Sequence, residues 1–141
     1  MLGLGSNRIE DDGAKALAPH LANLCNLQKL YLASKSIGIV GVIALAPHLA
    51  NLTSLQKLDL GRNRVGDVGA IAMAPHLATL TSLHNFCLSN NNTGDEGAKA
   101  LAIHLATFTS LQHLYLDRNN IGSLIKMKVR KKIPRLRTVE L

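Results

Sequence analysis

Four histidines recur at an interval of 28 residues, His20, His48, His76 and His104, and such a column invites a metal-ion reading. Zinc holds its ligands at about 2 Å, whereas equivalent positions on packed helices lie about 8–10 Å apart. No Cys, Asp or Glu joins the histidines at ligand spacing. They read as helix-end residues that suit the helix dipole, copied by duplication, and no metal or cofactor is expected. Cys87 would act as a nucleophile only beside a base; His84 and His113 are nearest in sequence, with no orienting acid evident, so no catalytic residue is assigned and no enzyme is expected. Cys25 and Cys87 occupy different registers, which disfavours a disulfide. Two formal glycosylation sequons, at Asn51 and Asn91, read as chance, because Asn91 belongs to a buried turn.

The remaining chemistry is charge. The chain of 141 residues carries a formal net charge of +7. Residues 123–141 hold Lys126, Lys128, Arg130, Lys131, Lys132, Arg135 and Arg137 against the single acid Glu140, which leaves a net of only +1 for the other residues. A cluster of that kind serves as a polar cap on a terminal unit or as a patch for nucleic acid, anionic lipid or an acidic protein. Aromatic residues are 3% of the chain and Trp is absent, which disfavours nucleic-acid modules that stack bases on aromatic platforms. No stretch of 18 apolar residues is present, so nothing reads as a membrane span. The first residues lack the basic-then-apolar order of a signal peptide, and a cytoplasmic setting is expected.

The elements that must position these groups are repeated units. Leu27, Leu55, Leu83 and Leu111 fall 28 residues apart, within the stretches LQKLYLASK, LQKLDLGRN, LHNFCLSNN and LQHLYLDRN. Asn63, Asn91 and Asn119 end this pattern, Asn7 ends a clipped first copy, and Lys35 interrupts the column. The second halves, such as DDGAKALAPHLANL and DEGAKALAIHLATF, carry apolar residues at helical spacing. Each unit is thus a strand, an Asn turn, a helix and a return loop. A looser turn is expected at Lys35, which cannot accept a hydrogen bond. Asp11, Asp67 and Asp95 stand where helix N-caps belong, with Ile39 breaking that column. Pro19, Pro47 and Pro75 predict a kink or a 3₁₀ transition in the first three helices, with a straighter fourth where Ile103 replaces proline. Ile125, Val129 and Ile133 give the basic segment a buried helical stripe.

The pattern L-x-x-L-x-L-x-x-N resembles the leucine-rich repeat signature. The stretches at 51–70 and 94–105 are similar to repeats of the ribonuclease-inhibitor type, above all those of NOD-like receptors, and also to those of Ran GTPase-activating proteins and of effectors from intracellular bacteria. The resemblance implies an α/β fold, a right-handed leucine-rich-repeat solenoid or horseshoe with a parallel β-sheet on its concave face and α-helices on its convex face. It implies one domain over residues 1–141, with 28-residue repeats to about 122 and a basic capping helix and strand at 123–141.

Strand alternation then assigns the concave face to Lys29, Tyr31, Lys57, Asp59, Asn85, Cys87, His113, Tyr115 and Asp117. The framework repeats almost verbatim while these positions change chemistry, which suits a non-enzymatic scaffold that binds a protein partner. The alternatives are a GTPase-activating module of the Ran-regulator type, and binding of nucleic acid or an anionic membrane through the basic C-terminal helix. The N-terminal strand has no polar cap over its edge, so self-association there is a further expectation.

Overall fold

A computed structural model describes residues 1–4 and 8–141; Asn7 lies outside the described residues. Strands and helices alternate along the chain: β1 (Leu2–Gly3), α1 (Glu10–Leu21), β2 (Lys29–Tyr31), α2 (Ile39–Leu49), β3 (Lys57–Asp59), α3 (Gly66–Leu77), β4 (Asn85–Cys87), α4 (Asp95–Leu105), β5 (His113–Tyr115), α5 (Ser123–Lys132) and β6 (Thr138–Glu140). The strands form one parallel sheet in sequence order. Pairing advances by one repeat without slippage, Lys29 opposite Lys57, Asn85 and His113 in turn. Strands pair about 4.8 Å apart and helices pack about 8–10 Å apart, so the sheet takes the inner arc and the helices the outer one.

The core follows from the two periodicities. Leu30, Leu58, Phe86 and Leu114 point from the strands to the interior and are fully buried. They meet the inward helix residues Ala18, Leu45, Ala74, Leu101 and their neighbours in one continuous cluster. A helix face closes one side of each leucine and the adjacent repeats close the rest, which is why one unit does not suffice. Each such Leu is worth about 2 kcal/mol of burial. Helices come close because glycine faces the preceding helix: a Cβ built on Gly97 would lie 3.0 Å from the Ala70 Cβ and 2.7 Å from Thr93 Cγ2.

Backbone groups at the turns are satisfied between repeats. Asn63 accepts hydrogen bonds from the Lys35 and Ile37 amides at 3.1 and 3.0 Å and donates to the Leu32 and Leu60 carbonyls at 2.8 and 2.9 Å. Asn119 does the same two repeats on, receiving the Asn91 and Thr93 amides and donating to Leu88 and Leu116. The expectation of a looser turn at Lys35 is corrected here. Ser34, Arg62, Asn90 and Arg118 all take φ of 55–58°, so the residue before Lys35 turns as its counterparts do. Its amides are held by the next repeat's Asn63, so the identity of residue 35 does not decide them.

The aspartates also act one repeat away, a second correction. None caps its own helix. Asp11 Oδ1 receives the Gly38 and Gly41 amides at the start of α2, Asp67 Oδ1 receives those of Gly94 and Gly97 at the start of α4 at 2.6 and 2.9 Å, and Asp95 receives Gly122. Each helix served this way begins after an extended glycine. Where Ile39 replaces the aspartate, Gly66 flips to φ +62° and its amide turns to the Asn91 carbonyl at 2.9 Å. Only glycine takes that conformation at little cost. At the first helix Glu10 adopts φ 54°, and its amide turns likewise to the Lys35 carbonyl.

The proline expectation also changes. α1, α2 and α3 run as α-helix through Pro19, Pro47 and Pro75, and α4, with Ile103, has the same 11 residues as α2. Each proline lies in the last turn and on the exposed side, where only one amide is lost and water serves the orphaned carbonyl.

Two outcomes follow, both read from urea denaturation midpoints at constant slope. Asp67→Ala removes a charged acceptor from two amides and lowers stability by about 2 kcal/mol, whereas Ile39→Ala costs well under half of that. Thr93 is fully buried and its hydroxyl has no partner among the described residues, in a column otherwise filled by Ile37, Val65 and Ile121. Thr93→Val raises stability by about 1 kcal/mol, because an unsatisfied buried hydroxyl is removed at constant shape.

Candidate functional site

The outward side of each strand is set by register. One row across the sheet reads Lys29, Lys57, Asn85, His113 and Thr138, and the next reads Gly3, Tyr31, Asp59, Cys87, Tyr115 and Glu140. Beyond the strand ends Ala33, Gly61, Ser89 and Asp117 continue the alternation at the repeat interval. Lys29 is exposed and the others proposed from the sequence are half-buried by their neighbours.

Two hollows divide this surface. The first, of about 460 Å³, is lined by Lys29, Tyr31, Lys57 and Asn85, together with Gln56, His84 and Gln112 from the loops entering the strands. Lys57 Nζ stands 5.1 Å over the Tyr31 ring, a cation–π contact worth about 0.5–1 kcal/mol at an exposed site. The pair is diagonal across two strands, because Tyr31 itself faces Asp59. The second hollow, of about 300 Å³, brings Asp59, Asp117 and Glu140 around Cys87, Ser89 and Tyr115, with Lys57 and Asn85 on the wall it shares with the first. One end of the face is thus cationic with an aromatic anchor, and the other is anionic with another.

The polar groups of the anionic hollow are tied together. The Gly61 amide donates to Asp59 Oδ1 at 3.0 Å. The Cys87 thiol donates to Ser89 Oγ at 3.6 Å, and the serine hydroxyl donates in turn to Asp117. Burial pushes the Cys87 thiol above its ordinary pKa and the nearby Asp59 carboxylate adds to this, while Ser89 opposes both. His113 faces Asn85 rather than Cys87, its Nδ1 buried without a partner among the described residues. His84 places its Nδ1 2.6 Å from the Ser82 carbonyl. The thiol's neighbours are therefore a hydroxyl and carboxylates.

Glu140 escaped the sequence reading as a concave residue. The 28-residue interval from Tyr115 runs past the chain's last residue, but the final repeat is shorter and its pairing puts Glu140 opposite Tyr115. Gln56, His84 and Gln112 were missed because they precede the strands, outside the alternation. Of the predicted basic patch, Lys126, Lys128, Arg130, Lys131 and Lys132 lie on α5, while Arg135 and Arg137 lie between α5 and β6. Lys128, Arg130, Lys131, Lys132 and Arg137 are exposed, Lys126 is half-buried, and Arg135 donates to the Ala106 carbonyl at 2.6 Å, closing the end of α4.

A leucine-rich repeat family model matches residues 2–18, 51–74 and 76–102, and a second model of the same repeat matches 110–128. No curated protein matches. Among solved structures, the chain is similar to leiomodin-1 actin-binding site 2, with a TM-score of 0.73 and 16% identity over 92% of this chain and 77% of that one. It is also similar to an internalin from Listeria monocytogenes, with a TM-score of 0.55 and 20% identity over 86% of this chain and 36% of that one. At such identities the likeness is one of fold. Fold and repeat together define an α/β solenoid of the class used as protein-interaction scaffolds. The chain is a leucine-rich repeat protein.

The state of the thiol gives a measurable consequence. Only thiolate is alkylated at an appreciable rate, so in a Cys25→Ser background the iodoacetamide reaction of Cys87 rises with pH to values above the ordinary thiol range. Asp59→Asn removes an influence that raises the pKa, so the inflection moves to lower pH and alkylation at pH 8 speeds up; Ser89→Ala moves it higher.

Proposed function

We propose that this protein is a non-enzymatic binding scaffold that holds a protein partner across the sheet face between Lys29 and Glu140. The observation that carries this reading is the division of the face into a cationic hollow and an anionic one, on strands whose buried side is nearly invariant from repeat to repeat. A partner that fits presents an Arg or Lys to Asp59, Asp117 and Glu140, and a carboxylate or a row of carbonyls to Lys29 and Lys57. Tyr31 and Tyr115 then supply apolar contact at modest entropic cost, as aromatic hot spots do. Rigid strands fix the spacing between hollows, so specificity comes from matching two opposite charges at a set separation. That the similar leiomodin-1 structure carries an actin-binding site supports use of such a solenoid for protein contacts, with the partner here set by this face's own residues.

The test is selection of binders from a random-peptide display library on the immobilised chain. Peptides bearing a basic residue some distance from an acidic one are expected, with affinity falling at least tenfold in Asp117→Lys or Tyr115→Ala and unchanged in the convex control Val68→Ser. Binders indifferent to both concave substitutions would sink the proposal.

A further inference from the structure

The last helix breaks the packing rule of the others. Gly13, Gly41, Gly69 and Gly97 recur at the repeat interval, and the same position in α5 is Ile125. Gly41 and Gly97 leave no space for a side chain against the helix before them, whereas Ile125 is a branched chain buried at 5% exposure. Accordingly α5 packs less closely on α4 than the earlier helices pack on one another. A groove of about 230 Å³ opens between them. Its floor is apolar, formed by Ala102, Ile103, Ile125 and Val129, and its rim carries Lys99 from α4 and Lys128 and Lys132 from α5. Ile103 stays 54% exposed at its mouth, and Lys128 and Lys132, one turn apart, lie on one side of α5.

We infer that this α4–α5 groove is a second docking site, distinct from the concave face, and that it takes an acidic amphipathic helix of a protein partner. Charge complementarity and shape select that occupant together. Lys99 is already paired with Glu96, so it is the ammonium groups of Lys128 and Lys132 that call for carboxylates, while the aliphatic floor calls for a Leu- or Ile-like side chain inserted beside them, the arrangement of helix-in-groove recognition. A nucleic-acid backbone meets the charge but offers nothing apolar to fill the slot. A flat bilayer meets the charge but cannot follow a recess between two helices.

The probe is a blocked synthetic peptide of about 14 residues, with Leu at i, i+4 and i+7 and Glu at most other positions. A scrambled peptide of the same composition, without the apolar stripe, is its control. Fluorescence anisotropy on the full chain is expected to show the striped peptide bound at least tenfold more tightly than the scrambled one at about 100 mM salt. Ile103→Glu, and separately the pair Lys128→Glu and Lys132→Glu, are expected to weaken binding at least tenfold, and Tyr115→Ala to leave it unchanged. All these side chains are exposed or half-buried, and circular dichroism confirms that each variant is folded. Equal binding of both peptides would reduce the site to general polyelectrolyte attraction and overturn the proposal. So would no binding, loss of binding in Tyr115→Ala, or tighter association with phosphatidylserine vesicles or duplex DNA than with the striped peptide.

Discussion

The structure depends on polar groups that reach one repeat away. A strand ending in a sharp turn leaves buried amides and carbonyls that the short turn cannot satisfy by itself, and a buried unpaired group costs as much as a lost hydrogen bond. Asn63, Asn91 and Asn119 meet that need with a side-chain amide that both accepts and donates, facing their own turn and the one before it. Asp11, Asp67 and Asp95 meet the matching need at the start of the following helix. The leucine core supplies most of the burial, but these links fix the register in which leucines meet. A slip of one residue would turn every outward strand side chain inward.

Function inherits this division of labour. Because inward positions and turn residues hold the frame, the outward positions of the strands are free to vary, and they differ from strand to strand in charge and shape. Lys57 beside Tyr31 and Asp117 beside Ser89 are neighbours only because parallel pairing advances one repeat per strand. The helix side shows the same logic reversed. Where glycine allows close approach the surface is closed, and where Ile125 takes its place a groove remains, ringed by the lysines that also keep the last repeat polar.

Much of this was legible in the chain. The 28-residue recurrence gives the units, helical spacing gives their second halves, and alternation gives the outward residues from Lys29 to Asp117. Two readings went astray because they treated each repeat as closed, and a third because a proline's place within its helix was not known. Asp67 looks like the cap of α3, yet its acceptor serves α4. Lys35 looks like a defect, yet Asn63 holds its turn. Pro75 looks like a helix breaker until its place in the exposed last turn is known.

What the sequence determined by itself is the local pattern: which residues recur, which are apolar at the period of a strand or a helix, and where charge accumulates. Those quantities depend on neighbours along the chain. Only the tertiary structure decided which acceptor serves which amide, that Gly66 flips where Ile39 stands, that Glu140 joins Asp59 and Asp117, and that α5 stands off α4. Each of these rests on atoms some 25 to 80 residues apart in the chain, brought together by the stacking of one repeat on the next, a distance at which spacing along the sequence carries no information about direction in space.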